Sequence, residues 1–372
     1  MTVAEGYRRL AVVSPTGLMS GAEAVLVRVV RAAVESRWQV EAACPAGPLG
    51  DALRTAGARV DAIPDLKLPA GPLAMALARW AWRTLRAAPT LHSLARRSDL
   101  VLVNGIFALP ALRIARPRSP VAWLVHDVLR KRSWVAVLRA GGAAVSLAIA
   151  VSEAVARPLR ARGLEVAVVR NGTPWPVLPI LSEPPVPRVV GCVAVLTPWK
   201  GQDVLLEAIA RLPEDVKVEL VGGRFPKDAA FEDRLRRRAA RPDLSGRVNF
   251  VGQVDVPLNR MRRWGVAVSA SVEPEAGPLA PLEAMSIGLP VVGTDHGGLP
   301  EVLGQAGILV SPGDVEEMAN ALQRLLSDRD LWLRCHGAGP AIIGAGLDQR
   351  GCIAELLDVL TGLAGGAVKT SP

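Results

Sequence analysis

Short runs that are apolar throughout, rather than at alternate positions, recur along this chain and are separated by amphipathic stretches of ten to fifteen residues. Such a run has no polar side to turn to water, so it fits a parallel strand covered on both faces. The expected strands in the first half are Leu10–Ser14, Gln39–Ala43, Leu100–Val103, Ala122–His126, Leu147–Val151 and Val166–Arg170, with helical patterns at Ala22–Ser36, Ala108–Ala115 and Ser152–Arg162. The rhythm breaks at Asn171–Pro187, where six prolines punctuate seventeen residues, the composition of a linker. It resumes with Val189–Leu196, Gln202–Arg211, Lys217–Val221, Val248–Val251, Val266–Ala270, Pro290–Gly293 and Ile308–Val310. Two tandem doubly wound, Rossmann-like α/β domains are the expectation. Their bounds are 1–173 and 188–345, with a proline-rich linker at 174–187 and a last helix with its tail at 346–372 crossing back to the first domain. In such sheets ligands bind at the carboxyl ends of the strands, where the strand order reverses.

Composition removes several classes of function. The chain has 372 residues, half of them hydrophobic and 21% charged, which suits a folded chain of two domains. Its four cysteines lie far apart with no CxxC pair, against both a disulfide scaffold and a structural zinc site. The opening MTVAEGYRRLAVVSP lacks a leader's long apolar core, and the longest apolar stretch, Ala140 to Ser152, falls well short of the roughly 20 residues that span a bilayer. A cytoplasmic chain, free or peripheral at the inner face of a membrane, is expected. Net charge is +9, but residues 1–180 hold 24 Lys and Arg against 11 Asp and Glu, whereas the remainder holds 20 against 24. Such a split points towards an acidic partner for the first half. No nucleic-acid-binding signature accompanies that charge, so nucleic acid is not expected and an anionic membrane surface stays open. Asp328-Arg329-Asp330 has the spacing of a metal-binding DxD, yet it stands at a helix junction where aspartates cap, so no metal is expected.

The richest segment is SVEPEAGPLAPLEAMSIGLPVVGTDHGGLPEVLG, residues 271–304. Glu275 and Glu283 stand eight positions apart, followed by Ala-Met and a Gly-Leu-Pro-Val-Val strand. This resembles the paired-glutamate signature of retaining glycosyltransferases of the GT-B fold, above all their family 4. The resemblance extends to SGAEAVL (20–26), AVSEAVARPLRARG (150–163), VVRNGTPW (168–175), TPWKGQDVLLEAI (197–209) and ILVSPGDVEEMANALQRLLSD (308–328), in the family's order. It implies a metal-independent enzyme that moves a sugar from a nucleotide-diphosphate donor to an acceptor hydroxyl, keeping the α-configuration. A UDP- or GDP-sugar would enter as substrate rather than cofactor. The acceptor would be lipid-linked, a glycan or a small molecule.

By the same resemblance, Lys200 and helix N-terminal amides receive the leaving pyrophosphate, Glu283 holds the ribose diol from the first turn of its helix, and Glu275 and His126 orient the transferred sugar. Leu279 and Ala280 lend backbone amides, and Gly21 lets the first helix approach the ligand closely. Read alone, each residue has a plainer use. Lys200 is also a surface lysine, Glu283 a helix-start acid, Glu275 a loop acid with Glu273 as competitor, His126 a buried strand histidine, and Gly21 with Ser20 a helix cap. Two departures from the family stand out. Gly277-Pro278 replaces the usual Phe-Gly pair, removing one amide. Ala194-Val195-Leu196 replaces a Gly-Arg-Leu stretch, leaving Arg224 or Lys227 as substitute cations. The missing arginine keeps a non-catalytic binding or scaffold protein in play, and a nucleotide-sugar 2-epimerase is a lesser rival. Pro72–Ala88 reads as a basic amphipathic helix, with Arg79, Arg83 and Arg86 on one face and Leu73, Leu77, Trp80 and Trp82 nearby. It either meets a membrane headgroup region or simply covers the sheet.

Overall fold

The computed structural model describes residues 8–176, 188–224 and 228–366. The chain divides into two compact units, residues 1–170 with 353–372, and residues 171–352.

In unit 1 the strands are β1 (Arg9–Val13), β2 (Gln39–Cys44), β3 (Arg59–Ala62), β4 (Leu100–Asn104), β5 (Val121–Val125), β6 (Leu147–Ala150) and β7 (Val166–Val168). All pair in parallel, in the order β3-β2-β1-β4-β5-β6-β7. Helices α1 (Gly21–Glu35), α2 (Pro48–Thr55), α3 (Leu73–Arg96), α4 (Leu109–Ala115), α5 (Arg132–Gly141) and α6 (Glu153–Arg160) join them. The apolar runs at β1, β4 and β5 are buried because they hold the sheet's centre, where helices cover both faces. Strand β3 escapes the sequence pattern. Its residues, Arg-Val-Asp-Ala, lie on the sheet edge and are largely exposed, so no apolar run marks them.

Unit 2 repeats the plan with β8 (Val189–Val193), β9 (Lys217–Val221), β10 (Val248–Gly252), β11 (Val266–Ser269), β12 (Val291–Thr294) and β13 (Gly307–Val310), in the order β10-β9-β8-β11-β12-β13. The helices between them are α7 (Gln202–Ala210), α8 (Ala229–Ala239), α9 (Leu258–Met261), α10 (Leu279–Ser286) and α11 (Pro300–Leu303). Helices α12 (Val315–Ser327), α13 (Arg329–Gly346) and α14 (Gln349–Ala364) close the chain. Asp328 caps α13 by accepting from the Leu331 amide at 2.9 Å, the structural role that the DxD-like spacing allowed.

The change of unit falls at Arg170/Asn171, earlier than the proline run. Residues 171–173 are already bound to unit 2, where the Thr173 amide donates to Leu347 O and Thr173 O accepts from the Gln349 amide. Gly172 packs so closely there that a Cβ would stand 2.7 Å from Asp348 O. Of the linker expected at 174–187, residues 177–187 lie outside the described residues. The second change of unit, between Cys352 and Ile353, comes inside α14 rather than at residue 346.

Candidate active site

The strand order of unit 2 reverses between β8 and β11, so the loops that follow these two strands flank one crevice at the sheet's carboxyl edge. The loop after β8 carries Lys200 and the loop after β11 carries Glu275. Lys200 ends a 3₁₀ turn, Pro198–Lys200, and Gly201 then takes φ +66° before α7 begins. That left-handed turn suits glycine, and a Cβ there would stand 2.0 Å from Ala270 O, at the end of β11. The Val272 amide also donates to Trp199 O at 2.9 Å, so the two loops are bolted together by backbone.

Within that frame Lys200 Nζ donates to Glu275 Oε2 at 2.5 Å, with side-chain exposures of 16% and 14%. The ammonium also sits 4.2 Å from the centre of the Trp199 ring. The second carboxylate oxygen, Oε1, accepts from the hydroxyls of Ser271 and Ser269. Ser271 O in turn accepts from Thr294 Oγ1 at 2.9 Å and contacts His296 Nε2 at 2.7 Å, which anchors the loop to the end of β12. Gly297, at φ +68°, lies flat against the Glu275 backbone, and the Gly298 amide donates to Glu275 O. Lys200 and Glu275 are therefore held in one geometry, as preorganised groups must be.

The other residues expected here arrange themselves unequally. Leu279 and Ala280 are the first two residues of α10, after Pro278 as its N-cap, so their amides lie in the first turn without intrahelical partners. Glu283 is the fifth residue of that helix. The expectation that it lies in the first turn is corrected, because the helix starts only after Pro278 and its first turn holds no acid. Glu283 is half-buried. Arg224 borders the β8 loop, where Gly223 O accepts from the Leu196 amide, but its guanidinium turns to α8. It pairs with Glu232 at 2.7 Å and Asp233 at 3.3 Å, and the Glu232 carboxyl is held below its ordinary range by that contact. Lys227 lies outside the described residues. Sequence reading missed Trp199, Ser269, Ser271 and His296. A hydroxyl four residues before the glutamate, at a strand's end, was the one local sign of Ser271. Cys192 lies in the core, and burial pushes its thiol up to about 12.

In unit 1 the order reverses between β1 and β4. Gly21 opens α1, and Ser20 is its N-cap residue. The Ser20 hydroxyl donates to the buried Glu23 carboxylate instead of accepting from an amide, so the first-turn amides keep no side-chain cap. His126 follows β5 rather than ending it. One edge of the residue meets the surface, but Nε2 is sealed in without a hydrogen-bond partner among the described residues. That burial lowers its pKa to about 4, so the imidazole is neutral near pH 7. Asn104, the last residue of β4, likewise has a buried Oδ1 with no such partner.

Two family profiles match this chain. "Glycosyltransferase Family 4" covers residues 19–174 and "Glycosyl transferases group 1" covers residues 187–328. A D-inositol 3-phosphate glycosyltransferase of Mycobacterium marinum is 29% identical over 257 residues, 66% of this chain and 52% of that relative. The lipopolysaccharide core biosynthesis mannosyltransferase LpsB of Rhizobium meliloti is 32% identical over 156 residues, 39% of this chain and 43% of its own length. The chain thus spans about half the length of these relatives, or less. Among solved structures, HepE of Anabaena, crystallised with UDP and glucose, superposes with a TM-score of 0.81 at 23% identity, over 95% of this chain and all of that one. Sucrose-phosphate synthase of Thermosynechococcus elongatus gives 0.80 at 21%, over 96% of this chain and all of that one. These superpositions establish the GT-B fold for the two doubly wound units. With two profiles matched in chain order and the Lys200–Glu275 pair at the crevice of the second unit, the chain belongs to the family 4, group 1 glycosyltransferases.

Proposed function

We propose that this chain transfers a hexose from a nucleotide-diphosphate donor to an acceptor hydroxyl, with retention at the anomeric carbon. The observation that carries the reading is the Lys200–Glu275 pair at the switch point of unit 2, beside the amide-rich starts of α7 and α10. As the glycosidic bond breaks, negative charge gathers on the leaving diphosphate. A fixed ammonium and free helix amides stabilise that charge more than they stabilise the bound donor, which is what lowers a barrier. Lys200 takes this role in place of a divalent ion. Donor entry exchanges part of its contact with Glu275 for phosphate oxygens, and Glu275, still held by Ser271, turns its acceptor oxygens to sugar hydroxyls. Glu283 is assigned the ribose diol. Gly21 and the uncapped amides of α1 admit a close ligand, and the neutral His126 is assigned a hydrogen bond to a sugar hydroxyl. Retention follows by front-face departure and attack, the leaving phosphate taking the proton of the acceptor hydroxyl.

A UDP-sugar is the first donor to test, since HepE was crystallised with UDP and with UDP-glucose, and a GDP-sugar is the next. For the acceptor we infer a lipid-linked or other membrane-proximal hydroxyl at the cytoplasmic face, supported by the positive balance of residues 1–180. One observation favours a donor-binding scaffold instead. Val195 stands where the resemblance expects arginine, and Arg224 is already engaged by two carboxylates. Thermal-shift titration with UDP-, GDP- and ADP-sugars followed by a donor-hydrolysis assay separates the two. Stabilisation with slow release of free sugar supports the transferase, and stabilisation without release under any condition supports the scaffold.

A further inference from the structure

The first half of α3 stands off the core. Between Leu73 and Arg83 only Ala76 is buried, and Trp80 and Arg83 are half-buried. The large side chains left in solvent are Leu73 at 69% exposure, Met75 at 58%, Leu77 at 44%, Trp82 at 57% and Leu85 at 59%. A run of apolar exposure on one helix of a folded unit marks an interaction face. The two tryptophans take opposite roles, which the sequence could not separate. Trp80 turns inward and its Nε1 donates to Leu66 O at 2.8 Å, whereas Trp82 turns out, with the Arg86 guanidinium 5.2 Å from its ring centre.

Charge narrows the partner. Arg79, Arg83 and Arg86 follow one flank of this face, and none forms an ion pair with a carboxylate among the described residues. From Leu66 to Ser98 the sequence contains no Asp or Glu, while it contains Lys67 and five arginines. A second copy of the same face would therefore bring arginine against arginine and no counter-charge. A flat anionic surface with an apolar interior satisfies both halves of the pattern, since arginines meet headgroups while Trp and Leu enter the acyl boundary.

We propose that the exposed face of α3 between Leu73 and Arg86 docks unit 1 on an anionic lipid bilayer. Its position fits a membrane-proximal site. Helix α3 starts on the carboxyl-edge side of the sheet, and the segment before it is tied to the loop after β1 by the Leu66 amide donating to Pro15 O at 3.0 Å. The inference is independent of the chemistry proposed for unit 2, and its test reads no activity.

The test is co-sedimentation of the full chain with phosphatidylglycerol–phosphatidylcholine vesicles and with pure phosphatidylcholine vesicles. Binding is expected only to the first, falling as salt rises. The triple variant Arg79→Glu, Arg83→Glu, Arg86→Glu should bind about 10²-fold more weakly, and Trp82→Gln with Leu85→Gln about tenfold more weakly. Unchanged far-ultraviolet circular dichroism and melting temperature confirm that the variants fold, as expected for substitutions at exposed positions and at the half-buried Arg83, none of them in the core. Equal binding to both vesicle types, binding to neither, or indifference to the charge reversal overturns the proposal. Sedimentation velocity without lipid covers the other occupant: self-association abolished by the same substitutions would assign the face to a second copy and overturn it as well.

Discussion

Lys200 Nζ lies 2.5 Å from Glu275 Oε2 although 75 residues separate them in sequence. Each belongs to a loop that leaves the sheet beside the other's strand, and Gly201 lets those loops touch at Ala270. The pair thus joins two distant segments at one switch point, with a cation next to the first turns of α7 and α10, neither of which has a side-chain cap.

Lys200→Ala should lower transfer by about 10²-fold or more, the usual effect of removing one preorganised charge donor. Glu283→Ala should act mainly on nucleotide affinity, raising the Kd for the bare nucleoside diphosphate with a smaller change in turnover. Steady-state kinetics with isothermal titration separate the two. Wild-type behaviour in both variants would withdraw both assignments.

Gly201→Ala should damage the same loop through the backbone. At φ +66° an L side chain costs about 1 kcal/mol or more, and its Cβ would also stand 2.0 Å from Ala270 O. Loss of at least about 2 kcal/mol in urea denaturation, with turnover reduced as far as in Lys200→Ala, is the expected outcome. A variant as stable and active as wild type would show that the loops need not touch.

Arg247 offers a test of stability alone. Buried, its guanidinium donates to the carbonyl oxygens of Val216, Asp243, Ile209, Leu212 and Pro213, gathering the end of α7 and the turn after it. Arg247→Met should cost about 2–4 kcal/mol, because buried carbonyls lose their donors. Arg247→Lys should recover little, since one ammonium cannot reproduce a planar fork. Urea titration followed by circular dichroism checks both.

His126 gives stability a pH dependence. Its pKa in the fold, about 4, lies below the 6.5 of an exposed imidazole because burial disfavours the charged ring. Above about pH 7.5 neither state binds the proton and the residue contributes no slope. As pH falls from 6.5 towards 4, the unfolded chain binds a proton that the folded chain refuses, so stability is lost across that window. At pH 5 the loss is about 2 kcal/mol. His126→Asn should remove this component, seen as a smaller drop in denaturation midpoint between pH 7.5 and pH 5. Equal drops in variant and wild type would refute the buried, neutral imidazole.

The sequence alone determined the doubly wound plan. Central parallel strands must be apolar on both faces, so β1, β4, β5 and β11 announce themselves by composition, and helices of 3.6-residue period must fall between them. It also supplied the spacing of Glu275 and Glu283 and the lysine before the glycine of the β8 loop. What it left undecided depended on contacts between distant segments. Strand β3 is an edge strand with polar residues, so nothing local marks it. Trp80 and Trp82 have the same chemistry two positions apart, and only packing on the unit 1 core sends one inward and one to solvent. Glu283 left the first turn because the helix begins after Pro278. Arg224 was a free cation on paper until α8 brought Glu232 and Asp233 to it. Local periodicity is written in adjacent residues; ion pairs, caps and exposed faces are settled by which elements the sheet order makes neighbours, and only the tertiary structure holds that information.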